Sequence, residues 1–106
     1  MDSEAFLLKI GFAPGDPDSR EALELVLAAA ALEVPAKVLF FGPGTAHLQP
    51  DHAPAWQQLI DHGLAGVFYA EGDWPAASAP PRLAAVALDA AELATLEQEA
   101  RQVLVL

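Results

Sequence analysis

The 106-residue chain has room for one domain spanning residues 1–106 and one core, which excludes a second domain. With 54% hydrophobic and 19% charged residues it is more apolar than an average soluble domain, so a partner or an exposed patch must account for the excess. Fifteen carboxylates against five Lys and Arg give a net charge of -10, a field that repels phosphate backbones.

Direct nucleic-acid binding is not expected, because Lys9, Arg20, Lys37, Arg82 and Arg101 are scattered singly and form no basic stripe. The acidic start Met1-Asp2-Ser3-Glu4 lacks the basic region of a secretory signal, and the longest apolar run, Leu25 to Leu32, is too short to cross a bilayer. A cytoplasmic protein without membrane association is the expectation. The chain contains no cysteine, which removes disulfides, thiolate nucleophiles and thiolate metal sites together.

Along the chain, Phe6 to Ala13 is a nearly continuous apolar run closed by Pro14-Gly15, the pattern of a strand buried on both faces. Asp16-Pro17-Asp18 predicts a turn, and Asp18 with Glu21 has the spacing of a capping box opening a helix from Ser19 to Glu33, stopped by Pro35. Leu23, Val26, Leu27 and Ala30 make its expected sheet-facing stripe. The other alanines of the run from Ala28 to Ala31 then lie outward, and two readings stand: Ala28, Ala29 and Ala31 let a second subunit approach closely, or they simply favour helix.

Ala36 to Phe41 repeats the buried-strand pattern and ends at Gly42-Pro43-Gly44. A short helix is expected from Pro54 through Trp56, Leu59 and Ile60 to Gly63, then a third strand over Gly66 to Ala70. Glu71 to Pro81, with three prolines and Trp74, predicts a loop. Leu83 to Leu88 predicts a fourth strand, Asp89 and Glu92 a capping box for a helix reaching about Ala100, and Gln102 to Leu106 a last strand. The alternation predicts an α/β fold: a three-layer α/β/α sandwich on a mostly parallel five-stranded sheet with right-handed crossovers.

In such a sheet, ligands collect beyond the carboxyl ends of the strands. The loops there hold Asp16, Asp18, Glu71, Asp73 and Asp89, an oxygen-rich set for a hard cation, although two of these are explained as helix caps. Gly42-Pro43-Gly44-Thr45-Ala46 lacks both phosphate-loop patterns, and Pro43 removes a backbone donor, so a turn is the better reading. His47, His52 and His62 do not pair at metal-ligand spacing, and no nucleophile elbow occurs. No cofactor or metal is expected. Trp56 reads as core, Trp74 as an anchor at an interface.

Three stretches carry a resemblance. Ser19 to Leu32 is similar to the first helix of the DsrE/DsrF-like superfamily in its TusC/DsrF branch; Val38 to Pro50 resembles that branch's second strand and loop; Leu88 to Leu93 with Val103 to Leu106 follows its closing helix and strand. The resemblance implies a DsrEFH-like sandwich and a sulfur-relay hetero-oligomer with DsrE/TusD-like and DsrH/TusB-like partners, or self-association in a relative that has lost the relay. It also implies that persulfide is carried by a cysteine after the third strand of the DsrE/TusD-type partner. Here that neighbourhood reads Glu71-Gly72-Asp73-Trp74-Pro75-Ala76-Ala77-Ser78, without cysteine. Neither Asp73 nor Pro75 supplies a sulfur nucleophile, so a non-catalytic subunit is expected, serving tRNA thiolation or sulfur oxidation. The residues assigned to the interface or vestigial-site loop are Phe41, His47, Leu48, Asp73, Trp74 and Pro75.

Overall fold

The computed structural model describes residues 5–61, 66–75, 78–81 and 85–105, apart from the side chains of Ser19, Ala30 and Leu59. Strands β1 (Phe6–Ile10), β2 (Ala36–Phe40), β3 (Gly66–Ala70), β4 (Val86–Leu88) and β5 (Gln102–Val105) alternate with helices α1 (Pro17–Ala31), α2 (Ala53–Asp61) and α3 (Ala90–Glu99). All strand pairs are parallel, in the order β4-β3-β2-β1-β5. The predicted α/β sandwich and its five parallel strands are present.

That strand order dictates the layers. From β1 to β4 the chain steps always in one direction, and right-handed crossovers therefore place α1 and α2 on one face. The return from β4 to β5 reverses the step and puts α3 on the other. Packing follows suit. Ala22 and Val26 of α1 and Trp56 of α2 share a core with Leu8, Ile10, Val38, Phe40, Val67 and Tyr69, whereas Leu96 of α3 packs with Leu7, Leu39 and Leu88. Burying each large side chain of such a core stabilises by about 1.5–3 kcal/mol.

Several element boundaries differ from the sequence expectation, each for a local reason. β1 stops at Ile10 rather than Ala13, because its last ladder pair is Ile10 with Phe40 and the Phe41 N–H takes the Ile10 carbonyl at 3.1 Å. α1 begins at Pro17, whose fixed φ suits the first helical position. Asp16 rather than Asp18 therefore caps it, accepting the Asp18 N–H at 3.0 Å. Its sheet-facing stripe is Ala22, Leu23, Val26 and Ala29, and Leu27, expected inside, is 45% exposed. Positions 22, 26 and 29 lie on one face at helical spacing, and Leu27 sits about 100° round from Val26.

The same helix ends without glycine. Glu33 takes the left-handed conformation with φ 57, and the Val34 N–H returns to the Ala29 carbonyl at 2.9 Å in a Schellman closure. Gly42-Pro43-Gly44-Thr45-Ala46, expected as a turn, belongs to a 3-10 segment over Gly42–Leu48. α2 starts at Ala53, one residue before Pro54. The Asp89 and Glu92 capping box forms as expected, with Asp89 Oδ1 accepting the Glu92 N–H at 2.8 Å and Glu92 Oε1 the Asp89 N–H at 3.1 Å. The acidic start at Met1 to Glu4, His62, Gly63, Arg82, the Leu83 to Ala84 part of the fourth-strand expectation, and Leu106 lie outside the described residues.

Candidate functional site

The carboxyl ends of the strands carry two loops that are bolted to each other. After β2, Gly42 adopts a positive φ of 51, and its N–H donates to Asp73 Oδ2 in the 3-10 turn Glu71–Asp73 that follows β3, at 2.8 Å. The Thr45 hydroxyl lies 3.0 Å from the Gly42 carbonyl and 3.3 Å from the Asp73 carbonyl, and its single proton can be donated to either. Gly44 has no room for a side chain, since a Cβ there would overlap the Ile10 carbonyl. The glycines that superficially suggest a phosphate cradle instead let this loop lie against the end of β1, and the chain's own carboxylate holds the Gly42 N–H.

Beneath this loop His47 is buried and fully engaged. Trp56 Nε1 can only donate, and it lies 3.2 Å from His47 Nδ1, so that nitrogen is the acceptor. The ring proton therefore sits on Nε2, which donates to the Phe12 carbonyl at 2.9 Å. Phe40 meets the Trp56 ring edge-on, with centroids 4.8 Å apart, and His47 meets it at 5.5 Å. Burial pushes the His47 pKa below 6.5; the Phe12 hydrogen bond works against this, and charge on His52 adds to it. A neutral imidazole with both nitrogens occupied links the ends of β1, β2 and α2, and it has no free lone pair for proton transfer.

The other residues assigned to this loop are distributed as follows. Leu48 is buried. Phe41 is half-buried, with its ring against Gly11 and the Lys9 ammonium 5.2 Å from its centroid. Asp73 and Pro75 are exposed, and Trp74 is half-buried against Tyr69, ring centroids 5.3 Å apart. His47, Leu48, Asp73 and Trp74 thus meet at one edge of the sheet, while Phe41 turns toward Lys9. Of the alanines assigned to a subunit contact, Ala28 and Ala31 are exposed, whereas Ala29 turns toward the sheet and lines a groove with Phe6, Leu8 and Leu104.

The acidic loops do not converge on a shared cation position. Asp16 and Asp89 cap helices and Asp73 holds Gly42. Among the described residues no three His, Cys, Asp or Glu side chains are grouped to hold a metal ion. Sequence reasoning missed the pairing of His47 with Trp56 and the ties made by Thr45, and nothing in the spacing of these residues signals them. Gly44, by contrast, stood in plain view as the second glycine of Gly42-Pro43-Gly44.

Comparison with known families matches no family model, and comparison with curated proteins gives no match. Among solved structures, the chain is similar to the crystal structure of the YchN protein from E. coli, with a TM-score of 0.76 over 97% of this chain and 98% of that one, at 15% identity. The fold is DsrE/DsrF-like. At this identity the likeness concerns the DsrE/DsrF-like fold alone; it does not reach the TusC/DsrF branch, and chemistry has to be argued from the site. No helix among the described residues is long and apolar enough to cross a membrane.

Proposed function

We propose that this chain is a non-catalytic, cytoplasmic subunit of a sulfur-relay assembly of the TusBCD or DsrEFH type. In this role it supports persulfide transfer by a cysteine-bearing partner, toward tRNA 2-thiouridine formation or sulfur oxidation. The observation that carries the reading is a DsrE/DsrF-like fold built from a sequence with no cysteine. A persulfide requires a thiolate, and without one the chain can shape a neighbour's site but not load sulfur itself. The loop after β3 is consistent with such a role, because the Asp73 carboxylate ties it to the loop after β2 and gives the strand ends a set shape.

The test is co-expression with DsrE/TusD-like and DsrH/TusB-like chains, followed by loading with labelled sulfane sulfur. A stable mixed complex with label only on the cysteine-bearing partner is expected. Elution of this chain alone from the mixture sinks the reading.

A second reading, a stand-alone homo-oligomeric binding module, draws on the apolar side chains left in solvent: Leu32 is 76% exposed and Val105 67%. A homotrimer or homohexamer of the isolated chain in native mass measurement, with no uptake of the two partners, favours it.

A further inference from the structure

Between α1 and the edge strand β5 runs a trough made of two hollows that meet at Leu25. The upper one, about 250 Å3, is lined by Phe12, Ala22 and the exposed carboxylates of Asp18 and Glu21. The lower one, about 170 Å3, has Phe6, Leu8, Ala29 and Leu104 in its walls. The α1 residues that edge the trough are Asp18, Glu21, Leu25 and Ala29, and Leu32 just past the end of the helix continues the series. Steps of three and four residues keep all five on one flank of the helix. From Asp18 to Leu32 that flank runs about 20 Å, or roughly four turns. Leu25 and Leu32 stand exposed on it, and Ala29 between them leaves room for a second backbone to come close.

The two ends of the trough narrow the occupant. Acid stands at one end, in Asp18 and Glu21; at the other, the Arg101 guanidinium lies 5.7 Å from the centroid of the Phe6 ring. A helix laid antiparallel to α1 brings its carboxyl end to the acid and its amino end to Arg101. Lys or Arg in its last turn and Asp or Glu in its first then meet opposite charge, and the same placement suits that helix's own dipole. A second copy of this chain offers no such helix among the described residues, since α1, α2 and α3 have no basic residue in the last turn. Two copies, each with a net charge of -10, also repel one another.

We propose that this trough seats a helix of a different protein, antiparallel to α1, with an apolar stripe of leucine type, acid in its first turn and Lys or Arg in its last. The inference rests on α1, β1 and β5 alone and stands whether or not the chain takes part in sulfur relay.

The probe is a stapled helical peptide of about 16 residues, roughly four turns, with that stripe, Asp-Glu in its first turn and Lys-Arg in its last. Its binding to the full chain is read by fluorescence anisotropy. Saturable binding is expected, and Leu25→Gln should weaken it at least tenfold. Leu27→Gln, at a leucine of like exposure on the outer side of the same helix, should leave it within about twofold. Asp18→Lys with Glu21→Lys should also weaken it at least tenfold, and a peptide ending in Glu-Glu should recover the loss on that variant alone. A nitroxide at the carboxyl end of the peptide should broaden the amide signals of Asp18 and Glu21 and spare that of Arg101. Absence of saturable binding overturns the proposal, as do equal losses at Leu25 and Leu27 or broadening at Arg101 instead. A homodimer of the chain that Leu25→Gln dissociates, seen in native mass measurement, overturns the assignment to a different protein.

Discussion

The two faces of the sheet are closed by different means. One carries α1 and α2 over a deep core in which Trp56, Phe40 and Ile10 are at most 1% exposed. The other carries α3 over a shallow cluster of Leu7, Leu39, Leu88 and Leu96, and Lys9 reaches Glu97 of α3 at 2.6 Å beside it. Strands about 4.8 Å apart make five strands roughly 20 Å wide, about twice the width of one helix. Two helices can roof such a sheet and one cannot. Val86 and Val105, which alternate onto the α3 face at opposite edges, are accordingly 53% and 67% exposed. The surplus hydrophobicity of the composition therefore surfaces partly at the margins of the single-helix face and partly along α1, at Leu25 and Leu27, and just beyond its end at Leu32.

If this asymmetry is energetic as well as geometric, matched truncations should expose it. Trp56→Ala removes a fully buried ring and leaves His47 Nδ1 without its donor, and should cost about 3–5 kcal/mol in urea unfolding. Leu96→Ala lies at a site 8% exposed that water and neighbours can partly refill, and should cost about 2 kcal/mol. Equal losses, or a larger one at Leu96, would break the comparison.

The two-helix face should also carry a pH dependence of its own. The folded His47 has a pKa below its unfolded value of 6.5, so the unfolded chain binds the proton more readily. Its contribution is fully present above pH 6.5 and is lost as the pH falls below that value toward the folded pKa. His47→Gln keeps one donor and one acceptor but does not titrate. The difference in unfolding free energy between the parent and this variant should shift against the parent from pH 7.5 to 5.5; a pH-independent difference rules the idea out.

The smallest effect is expected on the α3 face. Lys9→Met should cost about 0.5–1 kcal/mol, since both partners of the ion pair are partly solvated, 24% and 40% exposed. Raising the salt concentration should shrink the parent's advantage. A loss as large as that of Trp56→Ala would mean the ion pair, not Leu96, holds α3 down.

Much of the fold was legible because it is written in local patterns. Continuous apolar runs ended by Pro or Gly marked β1, β2 and β3, and Asp89 with Glu92 marked the start of α3. The candidate site was legible only as a location, the loops beyond the strand ends. Gly42-Pro43-Gly44 showed that the chain turns there; that Asp73, 31 residues away, would hold Gly42 was not visible. The face of α1 was misjudged at Leu27 for a related reason: every position from Leu25 to Leu32 is apolar, so period alone selects no unique stripe.

What the amino-acid sequence determined by itself is the alternation of strands and helices, the acidic charge and the absence of a thiol, because each depends on residue identity or on neighbours within one turn or strand. Strand order decided the rest. It placed α1 and α2 together and α3 alone, set the Phe12 carbonyl against His47 and set Asp73 against Gly42, all of which depend on residues meeting across distances that local periodicity does not encode.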